Sequence, residues 1–247
     1  MSDSTLLLRL EAPLQSWGTR ARWDIRDTAY EPTKSGIIGM IGCARGLKRG
    51  DPHLEKLDRI LRFGVRIDRP GTLGTDFQTV TGYHRTAAGE FKHGNGHAKD
   101  LQKAMEHQEN TIVSPRDYLH DASFLAALML NQHHQQADSD LLTEIANCLK
   151  NPKWPLYLGR KACVPTRPVF ERVTDDYKDL EDALRNEPWC CPGWHPTSGA
   201  EFLEAWIECR DGEFERQDAM RINQLRFYDF RRCRRIEIPT EPLRRTV

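Results

Sequence analysis

Leu6-Leu7-Leu8-Arg9-Leu10 and, after a Pro-containing turn, Pro32-Thr33-Lys34-Ser35-Gly36-Ile37-Ile38-Gly39-Met40-Ile41-Gly42 decide the fold. The first run is short, apolar and followed by turn residues at 12–18, so it reads as a buried first strand. The second opens a helix, with Thr33 or Ser35 available as N-cap. Ile37, Ile38, Ile41, Ala44 and Leu47 form its apolar stripe. Gly36, Gly39 and Gly42 leave a face almost without side chains, which would let the helix approach a sheet closely at some cost in helicity.

Outward from this strand–helix pair, a second helix is expected over residues 52–61 and a strand over 63–67. Residues 76–109 are polar and rich in Gly, His and Lys. An insertion of that length within a compact domain is functional or unstructured. Regular structure resumes with strands at 111–118 and 123–130 and a helix at 139–149. The sixth element would be a strand near Tyr157 or within 168–173. Strand, helix, strand, strand, helix, strand is the order of a ferredoxin-like α+β unit. The run Pro152-Lys153-Trp154-Pro155-Leu156-Tyr157-Leu158-Gly159-Arg160-Lys161 marks a seam. It divides a domain over 1–155 from a smaller region over 156–247, which holds a helix at 177–185 and a strand at 202–208.

Bulk properties exclude more than they assign. The 247 residues are 38% hydrophobic and 29% charged, with 36 Lys+Arg against 36 Asp+Glu. A net charge of zero means that any nucleic-acid site depends on local segregation of cations. No stretch approaches the roughly 20 apolar residues of a membrane helix, and the N-terminus lacks signal-peptide character. A cytoplasmic protein without membrane contact is expected. Seven cysteines without CxxC spacing argue against disulfides or a zinc ribbon. The nucleophile elbow, zincin and dinucleotide-binding motifs are missing, and no cofactor, metal or catalytic residue is expected.

Four groups of residues offer binding chemistry. Gln15, Trp17 and Arg20 lie before a helix whose first turn holds Lys34, Ser35 and Gly36. A helix N-terminus suits a phosphate and an indole suits a base; the alternative is a capped helix over a core Trp. Gly159, Arg160 and Lys161, followed by Arg167, form a Gly-rich cationic turn. Strand alternation would send Arg116, Tyr118 and His120 to one face, where an aromatic beside cations suits single-stranded RNA. Tyr83, His84 and Arg85, with Lys92 nearby, occupy the insertion and raise metal-independent RNA cleavage as an alternative. His93 and His97 flank Gly-Asn-Gly and lack a frame for a metal. The tail 221–247 carries eight Arg against one Asp and two Glu. Its Arg231, Arg232, Arg234 and Arg235 would face RNA, an acidic partner or solvent.

Four blocks in this order resemble one family. They are Leu7-Leu8-Arg9-Leu10-Glu11-Ala12-Pro13-Leu14-Gln15-Ser16-Trp17-Gly18, residues 32–42, Arg116-Asp117-Tyr118-Leu119-His120-Asp121-Ala122-Ser123-Phe124, and Pro155-Leu156-Tyr157-Leu158-Gly159-Arg160-Lys161-Ala162-Cys163. The family is the CasD subunits of type I-E CRISPR Cascade complexes, in the RAMP superfamily. The resemblance implies a ferredoxin-like (RRM-like) domain with a β-hairpin thumb at about 76–110, and a glycine-rich loop at 157–161. It implies a non-catalytic antiviral subunit that holds the 5′ handle of crRNA. The backbone and large subunits are the implied neighbours, and target DNA is met through the assembled complex. A thumb inserted beside the guide would displace one nucleotide of the guide–target duplex. A sister family in type I-C systems cuts precursor RNA, which keeps Tyr83, His84 and Lys92 in play as an endoribonuclease site. The longer Gly/His-rich insertion and the Arg-rich C-terminus depart from the family pattern.

Overall fold

The computed structural model describes residues 4–19, 26–82, 89–93, 96–98, 102, 105, 110–131, 140–188, 201–221 and 227–240. It is a mixed α/β protein with antiparallel sheets. Strand β1 (Thr5–Glu11) leads through the two-residue β2 (Leu14–Gln15) to helices α1 (Lys34–Arg45) and α2 (Pro52–Ile60). Next come β3 (Leu61–Arg69), β4 (Thr72–Gly82), the short β5 (Phe91–His93) and β6 (Gly96–Ala98), then β7 (Asn110–His120) and β8 (Ser123–Leu130). Helix α3 (Leu141–Lys150), β9 (Phe170–Thr174), helix α4 (Leu180–Asn186), β10 (Phe202–Glu208), β11 (Phe214–Arg221) and β12 (Phe227–Pro239) follow.

Seven strands form the main sheet in the order β11-β12-β10-β3-β8-β1-β9. The Leu-rich β1 lies between β8 and the edge strand β9, and both of its faces are covered, which is why it reads as a continuous apolar run. Leu6, Leu8 and Leu10 join Ile37, Ile38 and Ile41 of α1 and Leu142 and Ile145 of α3 in one core. Leu7 points the other way, into a second core with Leu180, Ala183 and Leu184 of α4 and Leu203 and Ile207 of β10. The register Leu7↔Ala127 and Leu8↔Ala126 puts small residues of β8 opposite the leucines.

Of the two places left open for the sixth element, the structure uses the second: β9 pairs with β1. Strands on either side of residue 155 share the main sheet, since β9 lies beside β1 and β10 beside β3. The glycine face of α1 does not meet the sheet as expected. A Cβ at Gly36 would lie 2.9 Å from Trp17 Cε3 and one at Gly42 2.3 Å from Leu54 Cδ2 of α2, whereas Gly39 faces outward.

A second sheet, β2-β7-β4, stands apart from the main one. Its ladder pairs β4 with β7 over eleven residues, from Thr72↔His120 to Gly82↔Asn110, and the β5–β6 pair lies in the connection between those two strands. The first part of the polar insertion is therefore strand.

Candidate nucleic-acid interface

The glycine-rich turn is fixed by its two apolar anchors, Leu158 and Cys163, both fully buried. Leu158 N–H donates to Cys163 O (2.8 Å) and Cys163 N–H to Arg160 O (2.8 Å), which closes the turn. Ser16 N–H donates to Leu158 O (3.0 Å) and seats it on the segment after β2. Gly159 has φ +106°, and a Cβ there would lie 1.8 Å from Ser16 O. Glycine is required because the chain packs on its own backbone. Arg160 then crosses the ring of Tyr118 at 4.6 Å. It donates to the carbonyls of Asp117 (2.9 Å), Arg26 (2.7 Å) and Asp27 (3.2 Å).

The N-terminus of α1 is also filled from within the chain. Thr33 is the N-cap, and its hydroxyl accepts from Gly36 N–H (3.2 Å). The β11–β12 ladder shifts register between Arg216 and Ala219. Asp218, inside that break, accepts Lys34 N–H (2.8 Å) and ion-pairs with Arg231 (2.6 Å). A carboxylate thus occupies the anion position of the helix dipole. Lys34 Nζ is paired with Glu208 (2.9 Å). Burial pushes the nearby Asp58 carboxyl up to about 6, against the opposing pull of Lys34. Burial also raises Glu31, which is ion-paired with Arg216.

Seven of the residues expected to contact RNA are engaged within the chain. Trp17 is 2% exposed, and its Nε1–H donates to Gln15 Oε1 (3.1 Å), so no ring face is open to a base. Gln15 is fully buried and donates to the carbonyls of Leu10 and Ala122. Lys34, at 2% exposure, and the Gly36 amide are taken up by Glu208 and Thr33. Tyr118 is 3% exposed beneath Arg160, and Arg160 is a staple between carbonyls. Arg167 pairs with Glu171 (2.9 Å). The C-terminal arginines face carboxylates: Arg231 with Asp218, Arg232 with Glu215, Arg234 with Glu181 and Arg235 with Glu204. Arg20, Tyr83, His84 and Arg85 lie outside the described residues.

What remains outward lies at the Gly159–Lys161 turn, at the start of α1 and along the β4–β7 ladder. Lys161 and Gly159 are exposed, Ser35 and Arg116 half-buried, and the Arg116 Nε–H has no partner. The register puts Leu73, Thr75, Phe77 and Thr79 of β4 on the same face as Asp117, Pro115 and Val113 of β7. Phe77 is 66% and Val113 51% exposed. Sequence reasoning missed both residues. The alternation Leu73-x-Thr75-x-Phe77-x-Thr79 was the available signal, masked by the polar, Gly-rich run that follows it. Among the described residues no three His, Cys, Asp or Glu gather as metal ligands, and no helix is long and apolar enough to cross a membrane.

Comparison with known proteins bears on this arrangement. Residues 5–230 match the family described as CRISPR-associated protein (Cas_Cas5). A relative from Escherichia coli (strain K12), the CRISPR system Cascade subunit CasD, is 34% identical over 219 residues, which is 87% of this chain and 88% of the relative. A chain of a CRISPR RNA-guided surveillance complex superposes with a TM-score of 0.68 at 33% identity, covering 97% of this chain and 92% of its own. A crystal structure of a Cas protein superposes with a TM-score of 0.66 at 32% identity, covering 97% of each. With a family match over most of its length and a relative above 30% identity, the chain belongs to the CRISPR-associated Cas5 family and is of the CasD type.

Proposed function

We propose that this protein is a non-catalytic subunit of a type I-E Cascade surveillance complex, acting in the cytoplasm, where it caps the 5′ handle of crRNA. It would touch the backbone and large subunits and meet target DNA only through the assembled complex. In this reading β1-α1-β3-β8-α3-β9, with sheet order β9-β1-β8-β3, is a ferredoxin-like RAMP unit. The β4–β7 ladder with the β5–β6 pair is its thumb.

The observation that carries the proposal is the exposed ladder beside the Gly159–Lys161 turn. An RRM-like protein stacks bases on the open face of its sheet. Here α4 covers the face that α1 and α3 leave, so that route is closed. The ladder offers apolar side chains at Phe77 and Val113, and the exposed Lys161, in the turn that Arg160 ties to β7, offers a cation for phosphate. Aromatic packing with nearby cations is the combination that holds single-stranded RNA.

The test uses the assembled complex and labelled repeat-derived RNA in EDTA. Intact RNA, bound with a steep salt dependence, is the expected result. Replacing Phe77 and Val113 together by Ser is expected to weaken binding about tenfold, from the loss of roughly 1–3 kcal/mol of stacking. Specific cleavage overturns the non-catalytic half of the proposal. Absent or salt-independent binding overturns RNA contact.

A further inference from the structure

The small sheet β2-β7-β4 ends in β4, whose outer edge pairs with no strand among the described residues. The main-chain bonds of β7 show which groups of β4 point to that edge. Asp117 N–H donates to Arg26 O (2.9 Å) and Pro115 O accepts from Arg26 N–H (3.0 Å), so both residues turn their main chain away from β4. In an antiparallel ladder, the residue opposite such a position also turns its N–H and C=O to its own far side. The register sets Thr75 opposite Asp117 and Phe77 opposite Pro115. By alternation, Leu73, Thr75, Phe77, Thr79 and Thr81 direct their N–H and C=O groups to the open edge.

Proteins blunt such edges with short length, charges, proline or bulges. The main sheet does so at both ends. Strand β9 has five residues, includes Glu171 and Arg172, and shifts register against β1. Strand β11 carries Glu215, Arg216, Asp218 and Arg221, and its register breaks between Arg216 and Ala219. Strand β4 has none of these devices. Its eleven residues run in unbroken register without Pro, Lys or Arg, and Asp76 is their single charge. Thr72, Leu73, Thr75, Asp76, Phe77 and Thr79 are exposed.

We propose that β4 takes an extended segment of another protein subunit as a further strand. Outward N–H donors alternating with C=O acceptors at strand spacing are matched by a polypeptide main chain. A sugar–phosphate backbone carries no N–H donors to match them. The proposal rests on the Cascade-subunit reading above and adds a protein contact at the edge, which leaves the Phe77–Val113 face open. That face also sets the chemistry of the added segment: beside Leu73, Thr75, Phe77 and Thr79 it places aromatic or β-branched side chains.

Amide hydrogen exchange over residues 72–82 tests this in four states: the isolated chain at low and at high concentration, the chain with crRNA alone, and the assembled complex. The five outward amides are expected to exchange freely in the first three and to slow by about tenfold or more in the complex. Slowing with crRNA alone assigns the edge to RNA, and slowing with chain concentration assigns it to a second copy; either overturns the proposal. A complex that contains the chain without slowed exchange overturns the edge contact and leaves the functional reading standing. A chain that never joins the complex overturns both. A second test replaces main-chain donors. Thr75→Pro with Thr79→Pro removes two outward N–H groups and none that β7 uses, which an edge strand tolerates. Thr75→Val with Thr79→Val keeps both N–H groups. The proline pair is expected to melt with the valine pair and to enter the complex about tenfold more weakly. Equal incorporation overturns the proposal, and if the proline pair does not fold, exchange in the unaltered chain decides.

Discussion

The Arg160 guanidinium lies 4.6 Å over the Tyr118 ring while its nitrogens donate to the carbonyls of Asp117, Arg26 and Asp27. One side chain joins the glycine-rich turn, β7 and the segment before α1. Arg160→Ala removes the stack and the bonds to three carbonyls, of which that of Arg26 still accepts from Asp117 N–H (2.9 Å), at a cost of about 2–4 kcal/mol. Lysine lacks the planar fork, so Arg160→Lys is expected to recover less than half of that. Urea denaturation measures both. A structural staple also predicts that the residual RNA binding of a folded Arg160→Lys protein keeps its salt slope; a phosphate ligand replaced by a poorer one would lower affinity several-fold without unfolding.

Gly159 makes that staple possible. Its φ is +106°, and a Cβ at this position would stand 1.8 Å from Ser16 O, so there is no room for a methyl group. Gly159→Ala is expected to cost about 2–4 kcal/mol, combining backbone strain with displacement of the turn. The drop in melting temperature should be accompanied by faster proteolysis within residues 155–167, which the Ser16–Leu158 bond otherwise holds down.

The sequence was most legible where pattern and burial coincide. Strands β8 and β10 lie at the residues expected for them, and α2 and α3 shift by no more than two residues, because β10 and the helices have a buried stripe of the right period and β8 is one continuous buried run. Strand β4 was hidden because its outward face carries Thr75, Phe77 and Thr79 and it runs into a Gly/His-rich stretch that looks like loop. The candidate site was least legible for a different reason. Lys34, Arg160, Trp17 and Gln15 have the residue types of a binding site, but each is satisfied from within the fold. Lys34 is taken by Glu208, and Arg160 by the carbonyls of residues 26, 27 and 117. Composition cannot report a partner 174 residues distant.

Asp58 gives the fold a specific pH dependence. It is 3% exposed, its Oδ1 has no hydrogen-bond partner, and burial pushes its carboxyl from 3.8 up to about 6. Folding therefore favours the protonated form. The stability from this group is fully present below pH 4 and is lost as pH rises through about 6, a total of about 3 kcal/mol. Asp58→Asn removes the charge, and its amide oxygen can still accept from the Met220 backbone. The variant is expected to be more stable than the wild type at pH 8, with the difference shrinking toward zero near pH 4. Thermal melts across that range check the sign; a difference independent of pH would show that the shift does not arise at Asp58.

Asp68 tests how the second face of the main sheet is held. It accepts from Arg9 Nη1 (2.9 Å) and from Arg66 Nε (2.5 Å) and Nη2 (3.2 Å), and all three residues are buried. The same arginines reach the C-terminal end of α4. Arg66 donates to the carbonyls of Leu184 and Glu187, and Arg9 to that of Pro188. They satisfy carbonyls that a helix end leaves open. Glu187 completes the group by accepting from Arg172 (2.6 Å) and Tyr177 (2.8 Å), and burial together with that bond pushes the Tyr177 phenol up to about 12. Asp68→Ala leaves Arg66 in the interior with backbone carbonyls and Arg9 with Glu187 (3.4 Å) as its remaining carboxylate, and removing one partner of a buried pair costs about 3–5 kcal/mol. Glu181→Ala removes the carboxylate that pairs with Arg234 and Arg185 on the surface, and is expected to cost about 1 kcal/mol or less. Because both substitutions delete one carboxylate beside two arginines, the difference between their denaturation curves isolates burial as the cause. Equal losses would mean that the network adds no more than surface ion pairs do.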